Sequence, residues 1–269
     1  MATRIILSDI DGTFLRHDKS VPELHVKAVK KILARGIKFA LVSARMPEAI
    51  YPITDGIGLP RIPVISYSGA LVLTETEEIL HDKKMPAGDT EKILAEMNRW
   101  QDIAVNFYTG RKWYVRAEDR QNRYVEYEIK VTQAAVEIAD FAELLRAGTL
   151  PNKILVMCEP PTCEEMEREL GALFPNLNVV RSAPHLLEVM DKSISKAVGI
   201  EILLKHYGFT VDEAIAFGDN YNDIEMLEYV PQSVAMGNAP EKIKQIARAV
   251  TDTNENAGIY TYLKKAGVI

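Results

Sequence analysis

Residues 5–13 read Ile-Ile-Leu-Ser-Asp-Ile-Asp-Gly-Thr, and the interpretation of the whole chain starts from this stretch. Its apolar beginning is typical of a strand that is buried on both faces of a parallel sheet. Asp9 and Asp11 follow the strand, and residues two apart on an extended segment point the same way. Such a pair can share a hard cation such as Mg²⁺, or one carboxylate can attack while the other transfers protons. An acidic turn after a strand is the simpler alternative.

The alternation of strand and helix continues outward from this stretch. Residues 37–42 and 63–67 are short apolar runs, and a helical pattern precedes each of them. The pattern returns after Asp191, with a helix from Ser195 and a buried strand at residues 214–217. Strands that alternate with helices predict a parallel sheet covered on both faces. We therefore expect an α/β fold with a doubly wound, Rossmann-like core.

The middle of the chain has a different pattern. Residues 103–108 and 112–115 are two β-prone runs joined by a short turn that contains glycine, which predicts a hairpin. Residues 153–157 and 186–190 are further strand candidates, and helical patterns lie between them. This region is therefore expected to be an α+β unit inserted into the first domain. The predicted domains are a core formed by residues 1–84 and 189–269, and an inserted domain formed by residues 85–188.

Composition and charge exclude several classes of protein. The chain has 269 residues and a formal net charge of −6, which argues against a general nucleic-acid binder. Two cysteines, Cys158 and Cys163, are too few for a disulfide framework and indicate reduced thiols. The sequence contains neither an apolar run of the roughly 20 residues that a membrane helix needs nor a signal-peptide pattern. We expect a cytoplasmic protein without a membrane or nucleic-acid partner; the sequence gives no indication of the oligomeric state.

Polar residues recur at the ends of the predicted parallel strands. In open α/β sheets, ligands bind beyond the carboxyl ends of the strands, so four segments distant in sequence are expected to meet in one crevice. Each residue also has a simpler interpretation: helix capping for the later aspartates, a solvated lysine, and turn chemistry for the serine. The residues concerned are Asp9, Asp11, Ser43, Lys196, Asp219 and Asp223.

Together, these segments resemble the haloacid dehalogenase-like (HAD) superfamily of phosphotransferases. That superfamily has Asp-x-Asp-Gly-Thr after the first strand, then a hydroxyl residue, a lysine and an acidic Gly-Asp-x-x-x-Asp motif, in this order. Here they correspond to residues 9–13, Ser43, Lys196 and residues 218–223. The insertion resembles a C2-type α/β cap, and residues 234–239 resemble the Cof-type branch. The layout is most similar to bacterial sugar-phosphate phosphatases.

The resemblance implies a reaction in two steps. Asp9 would attack phosphorus and form an aspartyl phosphate, and Asp11 would protonate the leaving oxygen and then deprotonate water. Mg²⁺ would be held by the side chain of Asp9, the backbone carbonyl of Asp11 and Asp219. Asp223 would act through a water or orient these ligands from outside, where Thr13 would also lie. The expected substrates are phosphomonoesters of small metabolites, sugar phosphates above all, selected by the cap.

The same resemblance implies a set of groups around the phosphoryl oxygens. The ammonium of Lys196, the hydroxyl of Ser43 and the side chain of Asn222 would contact these oxygens, together with backbone N–H groups near Ile10 and Ala44. Two alternatives stay open at this point. A phosphomutase of the same superfamily would return the phosphoryl group to a bound sugar, and a non-enzymatic receiver-like module would keep it.

Two segments depart from the pattern of the branch. Where the branch usually has Thr-Gly-Arg, this chain has Ser43-Ala44-Arg45, which keeps the hydroxyl but adds a methyl group. Where it commonly has Tyr-Asn-Gly-Ala, this chain has Ser68 in place of the asparagine. These departures concern how the substrate is contacted and leave the expected chemistry unchanged.

Overall fold

A computed structural model describes residues 2–269, and their contacts divide into two compact units. The second unit is inserted into the first, and the predicted division at residues 188 and 189 falls inside one of its strands. The first unit comprises the chain up to Arg45, Ile50–His81 and Ser195–Ile269, and the second comprises Met46–Ala49 and Asp82–Ile194.

The strands form two sheets, one for each unit. The larger sheet has eight strands in the order β14-β13-β12-β1-β2-β3-β4-β5, and the smaller has six in the order β10-β11-β9-β6-β7-β8. The strands are β1 (Ile5–Ser8), β2 (Lys38–Val42), β3 (Val64–Ser66), β4 (Leu71–Leu73), β5 (Ile79–Asp82), β6 (Ala104–Thr109), β7 (Lys112–Val115), β8 (Glu137–Ile138), β9 (Lys153–Met157), β10 (Leu177–Ala183), β11 (Leu186–Asp191), β12 (Ala214–Gly218), β13 (Gln232–Ala235) and β14 (Ala249–Val250).

The larger sheet is parallel at its centre. Strand β1 lies between β12 and β2, and Ile5 is in register with Ala214 on one side and Lys38 on the other. The apolar run of β1 is completely buried, as its sequence predicts. Because adjacent parallel strands end at the same edge, the residues that follow β1, β2 and β12 lie near one another.

Helices cover both faces of this sheet, which confirms the predicted α/β, doubly wound class. On one face, α7 and α8 pack on the strands through an apolar cluster that includes Leu203 and Met226. On the other face, α1 contacts α10, and Tyr262 of α10 packs edge-on against Phe217. The helices are α1 (Glu23–Ala34), α2 (Pro47–Gly56), α3 (Ala87–Met97), α4 (Arg123–Thr132), α5 (Phe141–Arg146), α6 (Pro160–Leu173), α7 (Lys196–Tyr207), α8 (Ile224–Tyr229), α9 (Glu241–Ile246) and α10 (Gly258–Lys265).

The second unit has an α+β architecture of its own. Its sheet is antiparallel except for the pair β7 and β8, and it contains the hairpin that the sequence predicts. Strand β10, which the sequence analysis does not predict, pairs with β11 at the edge. One face packs on α3, α5 and α6, whose apolar cluster includes both cysteines as buried thiols. Among residues 2–269, no helix is both long and apolar enough to cross a bilayer.

His25 of α1 links two segments of the first unit. Its Nδ1 lies 3.0 Å from the carbonyl oxygen of Phe14, and its Nε2 accepts a hydrogen bond from the N–H of Ile259 at 3.3 Å. One nitrogen must donate and the other accept, so the ring is neutral. Burial lowers the pKa of His25 from 6.5 to about 4.

This lowered pKa predicts a loss of stability in mild acid. Between about pH 6.5 and pH 4 the unfolded chain binds a proton at His25 that the folded chain does not, so stability falls as the pH decreases. We expect this residue alone to lower the free energy of unfolding by about 2 kcal/mol between pH 7 and pH 5. Urea unfolding of wild type and His25→Gln at both pH values measures the difference. His206→Gln, at an exposed position, is the control; equal pH slopes in all three proteins would contradict the prediction.

Candidate active site

Three carboxylates meet beyond the ends of β1 and β12. Asp9 directly follows β1, Asp219 directly follows β12, and Asp223 ends a short 3₁₀ turn at Tyr221–Asp223. One oxygen from each carboxylate lies within 4.8 Å of the others. The pairing of β1 with β12 thus joins two motifs that the sequence places far apart.

Lys196 enters this cluster as the first residue of α7. Ser195 caps the helix, since its Oγ accepts a hydrogen bond from the N–H of Val198 at 3.3 Å. The ammonium Nζ of Lys196 lies 2.5 Å from Oδ1 of Asp9 and 2.6 Å from Oδ1 of Asp223. The side chain is buried, so it is not the solvated surface lysine of the alternative interpretation.

Asp223 has both carboxylate oxygens engaged. Oδ1 accepts from Lys196, and Oδ2 accepts from the backbone N–H groups of Asp219 and Asn220, at 2.8 Å and 3.0 Å. The side chain therefore fixes the loop after β12 and holds the ammonium in place. This is more than helix capping, because it couples the loop to α7.

Asp219 is held by the loop after β1. The hydroxyl of Thr13 donates to its Oδ1 at 2.8 Å. Gly12 has a φ of +85°, and a Cβ at this position would lie 2.3 Å from Oδ2 of Asp219. Only glycine permits both this backbone conformation and this approach.

The charges in the cluster do not balance. When all four groups are ionised, Asp9, Asp219 and Asp223 carry three negative charges, and Lys196 carries one positive charge. Burial, with the nearby carboxylates, raises the pKa of Asp9 well above its usual range and that of Asp219 to about 6. Burial acts to lower the pKa of Lys196, but Asp223 and Asp9 outweigh it and raise that pKa. Two excess negative charges on oxygen ligands fit one divalent hard cation.

The side chain of Asp11 lies outside this cluster. Its carboxylate accepts two hydrogen bonds from Arg45, from Nε to Oδ2 at 2.8 Å and from Nη2 to Oδ1 at 2.7 Å. Lys19 donates to Oδ1 at 2.8 Å. Burial acts to raise the pKa of Asp11, but Arg45 and Lys19 outweigh it and lower that pKa to about 2.

The predicted phosphate contacts are only partly brought together. Ser43 is buried directly after β2, and its Oγ accepts from the N–H of Arg45 at 3.2 Å. The carbonyl of Ile10 accepts from the N–H groups of Thr13 and Leu15, which closes the turn after β1. Ala44 follows Ser43 at the same sheet edge. Asn222 is exposed and forms none of the hydrogen bonds of the aspartate cluster.

A strained turn at Tyr67–Gly69 supports the loop that contains Ser43. Tyr67, Ser68 and Gly69 all have positive φ, at 49°, 53° and 108°. Ser68 donates its N–H to the carbonyl of Ser43 at 2.9 Å, and Tyr67 donates to that of Arg45 at 3.2 Å. The turn therefore fixes the backbone between these residues. Ser68 occupies a conformation that asparagine adopts more readily.

Gly69→Ala is expected to disturb the start of α7. An alanine Cβ would lie 2.1 Å from the carbonyl oxygen of Ser195, a backbone atom that cannot move without shifting the helix. We expect a loss of about 3 kcal/mol in the free energy of unfolding, from the contact and the positive φ together. Gly36→Ala is the matched control, because Gly36 also has a positive φ but open space around it. Chemical denaturation of both variants measures the difference, and equal losses would contradict the steric argument.

Two residues near the centre have contacts that the sequence does not predict. Arg45, the last residue of Ser43-Ala44-Arg45, makes the bidentate contact with Asp11. Asn238 donates through Nδ2 to the carbonyl of Gly12 at 2.9 Å. The sequence shows only an arginine three residues after the end of β2 and an asparagine after β13, and neither pattern indicates a partner.

Comparison with known proteins decides the family. A family model for haloacid dehalogenase-like hydrolases matches residues 6–263. The chain belongs to this family. The recognition made from the sequence is thereby confirmed.

Similar proteins are described as phosphatases. A Haemophilus influenzae protein named "Putative phosphatase" is 36% identical over 98% of both chains. A Bacillus subtilis protein, 5-amino-6-(5-phospho-D-ribitylamino)uracil phosphatase YitU, is 26% identical and covers 97% of this chain and 96% of its own length. BT1666 of Bacteroides thetaiotaomicron, described among HAD phosphatases, is 28% identical with a TM-score of 0.82, covering 100% of this chain and 96% of its own. These findings confirm the prediction that the chain is an enzyme of the HAD phosphatase class.

Proposed function

We propose that this HAD-family phosphatase is Mg²⁺-dependent and acts on small phosphorylated metabolites through an aspartyl phosphate on Asp9. The observation that supports this best is the buried pair of Asp9 and Lys196 beside Asp219 and Asp223. It places a carboxylate, a fixed cation and further oxygen ligands at one point of the sheet edge.

Asp9 is suited to act as the nucleophile because its two oxygens differ. Oδ1 accepts the hydrogen bond of Lys196, whereas Oδ2 accepts none from residues 2–269. The side chain is 7% exposed, so the carboxylate is almost fully withdrawn from water and still reachable. A desolvated carboxylate with one oxygen held in place is a better oriented nucleophile than a solvated one.

The cation would be held by Asp9, Asp219 and the backbone carbonyl of Asp11. Asp223 has both oxygens engaged and would orient the site from outside, as Thr13 does for Asp219. When bound, Mg²⁺ supplies positive charge that lets an anionic nucleophile approach an anionic phosphate.

The remaining residues would handle the phosphoryl group and its proton. Lys196, Ser43 and Asn222, with the N–H groups near Ile10 and Ala44, would contact the phosphoryl oxygens. Arg45 and Lys19 keep Asp11 ionised in this structure, so Asp11 would first take up a proton, then give it to the leaving oxygen and later take one from water. The exposed side chain of Asn222 remains available for such a contact.

Sugar phosphates are the substrate class that we propose, with the inserted unit as a cap that selects among them. YitU, a relative at 26% identity, is named for a substrate with a phosphorylated ribityl chain. The proposal extends that chemistry, a phosphate on a polyhydroxylated carbon chain, to this protein.

A panel of phosphorylated metabolites tests this function. Hexose and pentose phosphates, nucleotides and cofactor phosphates would be assayed for phosphate release with Mg²⁺ and after removal of divalent ions by a chelator. We expect release from sugar phosphates that is lost with the chelator and restored by Mg²⁺. Undiminished turnover in the chelator would contradict the metal requirement. Isomerisation of a sugar phosphate without phosphate release would contradict the hydrolase and favour a mutase.

A further inference from the structure

Arg45 donates two parallel hydrogen bonds to the carboxylate of Asp11. Nε donates to Oδ2 and Nη2 donates to Oδ1, at 2.8 Å and 2.7 Å. This fork geometry fixes both the position and the plane of a carboxylate, which a single contact does not. The Arg45 side chain is only 14% exposed, so water competes little for the contact.

The backbone of Arg45 is itself held on both sides. Its N–H donates to Oγ of Ser43 at 3.2 Å, and its carbonyl accepts from the N–H of Tyr67 at 3.2 Å. Arg45 thus extends from a fixed loop at the end of β2 to a residue that follows β1. The Tyr67–Gly69 turn has a strained backbone with positive φ, and its contact with the Arg45 carbonyl fixes the backbone of this arginine.

Asp11 has no comparable support from its own loop. Within the described chain, residues 2–269, its carboxylate accepts side-chain hydrogen bonds from Arg45 and Lys19 and from no other residue. Its side chain is 41% exposed, so without these partners it would rotate among several conformers in water. Lys19 contributes less, because it makes a single contact and is 55% exposed.

We infer that Arg45 is the positioning residue for Asp11 and determines how well Asp11 serves the leaving-group oxygen. The inference rests on the proposed function, in which Asp11 exchanges protons with that oxygen. A protonated Asp11 keeps one oxygen as the acceptor for Arg45 and turns its O–H to the leaving group. Arg45 acts through Asp11 and needs no contact of its own with the substrate.

The dependence of the rate on the leaving group tests this role. An alkyl phosphate needs a proton on its departing oxygen, whereas p-nitrophenyl phosphate releases a stable phenolate without one. The parameter kcat/KM includes only steps up to departure of the leaving group. For Arg45→Met we expect kcat/KM for a sugar phosphate to fall about tenfold or more beyond its fall for p-nitrophenyl phosphate. Equal falls for the two substrates would overturn the inference.

A double-mutant cycle separates action through Asp11 from direct substrate binding. Asp11→Asn should show the same selective loss, and adding Arg45→Met to it should cause little further selective loss. If the two losses multiply instead, Arg45 acts on the substrate directly and the inference fails. Arg45→Lys, which keeps the charge but not the fork, should recover only part of the selectivity.

Two controls make the outcomes distinguishable. Arg61→Met removes an arginine that pairs with Asp55, and it should leave both substrates unaffected. Thermal unfolding of each variant shows whether the fold is retained. If Asp11→Asn itself lacks the selective loss, the acid–base role in the proposed function fails, and the inference fails with it. If Asp11→Asn shows the loss and Arg45→Met does not, only the inference fails.

Discussion

Replacing Asp9 with asparagine is expected to lower kcat by about four orders of magnitude or more, because an amide cannot serve as the nucleophile. The fold should persist, since asparagine has the same shape and Lys196 retains its contact with Asp223. Steady-state phosphate release measures the loss. Mass spectrometry of acid-quenched reactions should detect phosphate on the Asp9 peptide of the wild type and none in the variant.

Asp55→Asn provides the control for this substitution. Asp55 is an exposed aspartate that pairs with Arg61 on the surface of the same unit, so its loss should leave kcat unchanged. Near-normal turnover of Asp9→Asn with Mg²⁺ would show that another group attacks phosphorus, and the nucleophile assignment would be abandoned.

Replacing Lys196 with methionine should have the largest effect on stability. The methionine fills a similar volume but leaves Asp9 and Asp223 buried without their cation. Removal of one partner from a buried ion pair costs about 3–5 kcal/mol, and loss of the cation that we propose to contact phosphate should lower kcat at least about 100-fold. Urea unfolding in the presence of a chelator measures the first effect. Added Mg²⁺ should restore part of the stability, because the cation would replace some of the missing charge.

Two further variants examine the cause of that loss. Lys205→Met, at the exposed end of the same helix, should leave stability nearly unchanged. Adding Asp223→Asn to Lys196→Met should recover part of the stability, since it removes one of the unpaired charges. If Lys196→Met is as stable as the wild type in the chelator, the ammonium does not balance the carboxylates.

The meeting of the aspartates could be predicted from the sequence for a simple reason. A buried parallel strand has a recognisable pattern, and its last residue lies at a defined edge of the sheet. Asp9 and Asp219 each follow such a strand, so their proximity required only that β1 and β12 be neighbours. The place of Lys196 at the start of a helix could be predicted because Ser195, which precedes it, is a typical capping residue.

The contacts of Asp11 could not be predicted in the same way. Its spacing from Asp9 indicates a shared side of the strand, yet the chain turns at Gly12 and the carboxylate meets Arg45 instead. Side-chain direction in a turn depends on tertiary neighbours, which local spacing does not encode. The positive φ values of Tyr67 and Ser68 could not be predicted either, because neither residue type favours that conformation.

The order of the chain determines when the aspartate cluster can form during synthesis. Thr13 and its partner Asp219 are 206 residues apart, and the strand that precedes Asp219 must emerge from the ribosome before it can pair with β1. In a nascent chain, Asp9 is therefore synthesised long before the segments that bury it. A product that terminates before β12 lacks both Asp219 and the strand that pairs with β1, so we expect it to be inactive.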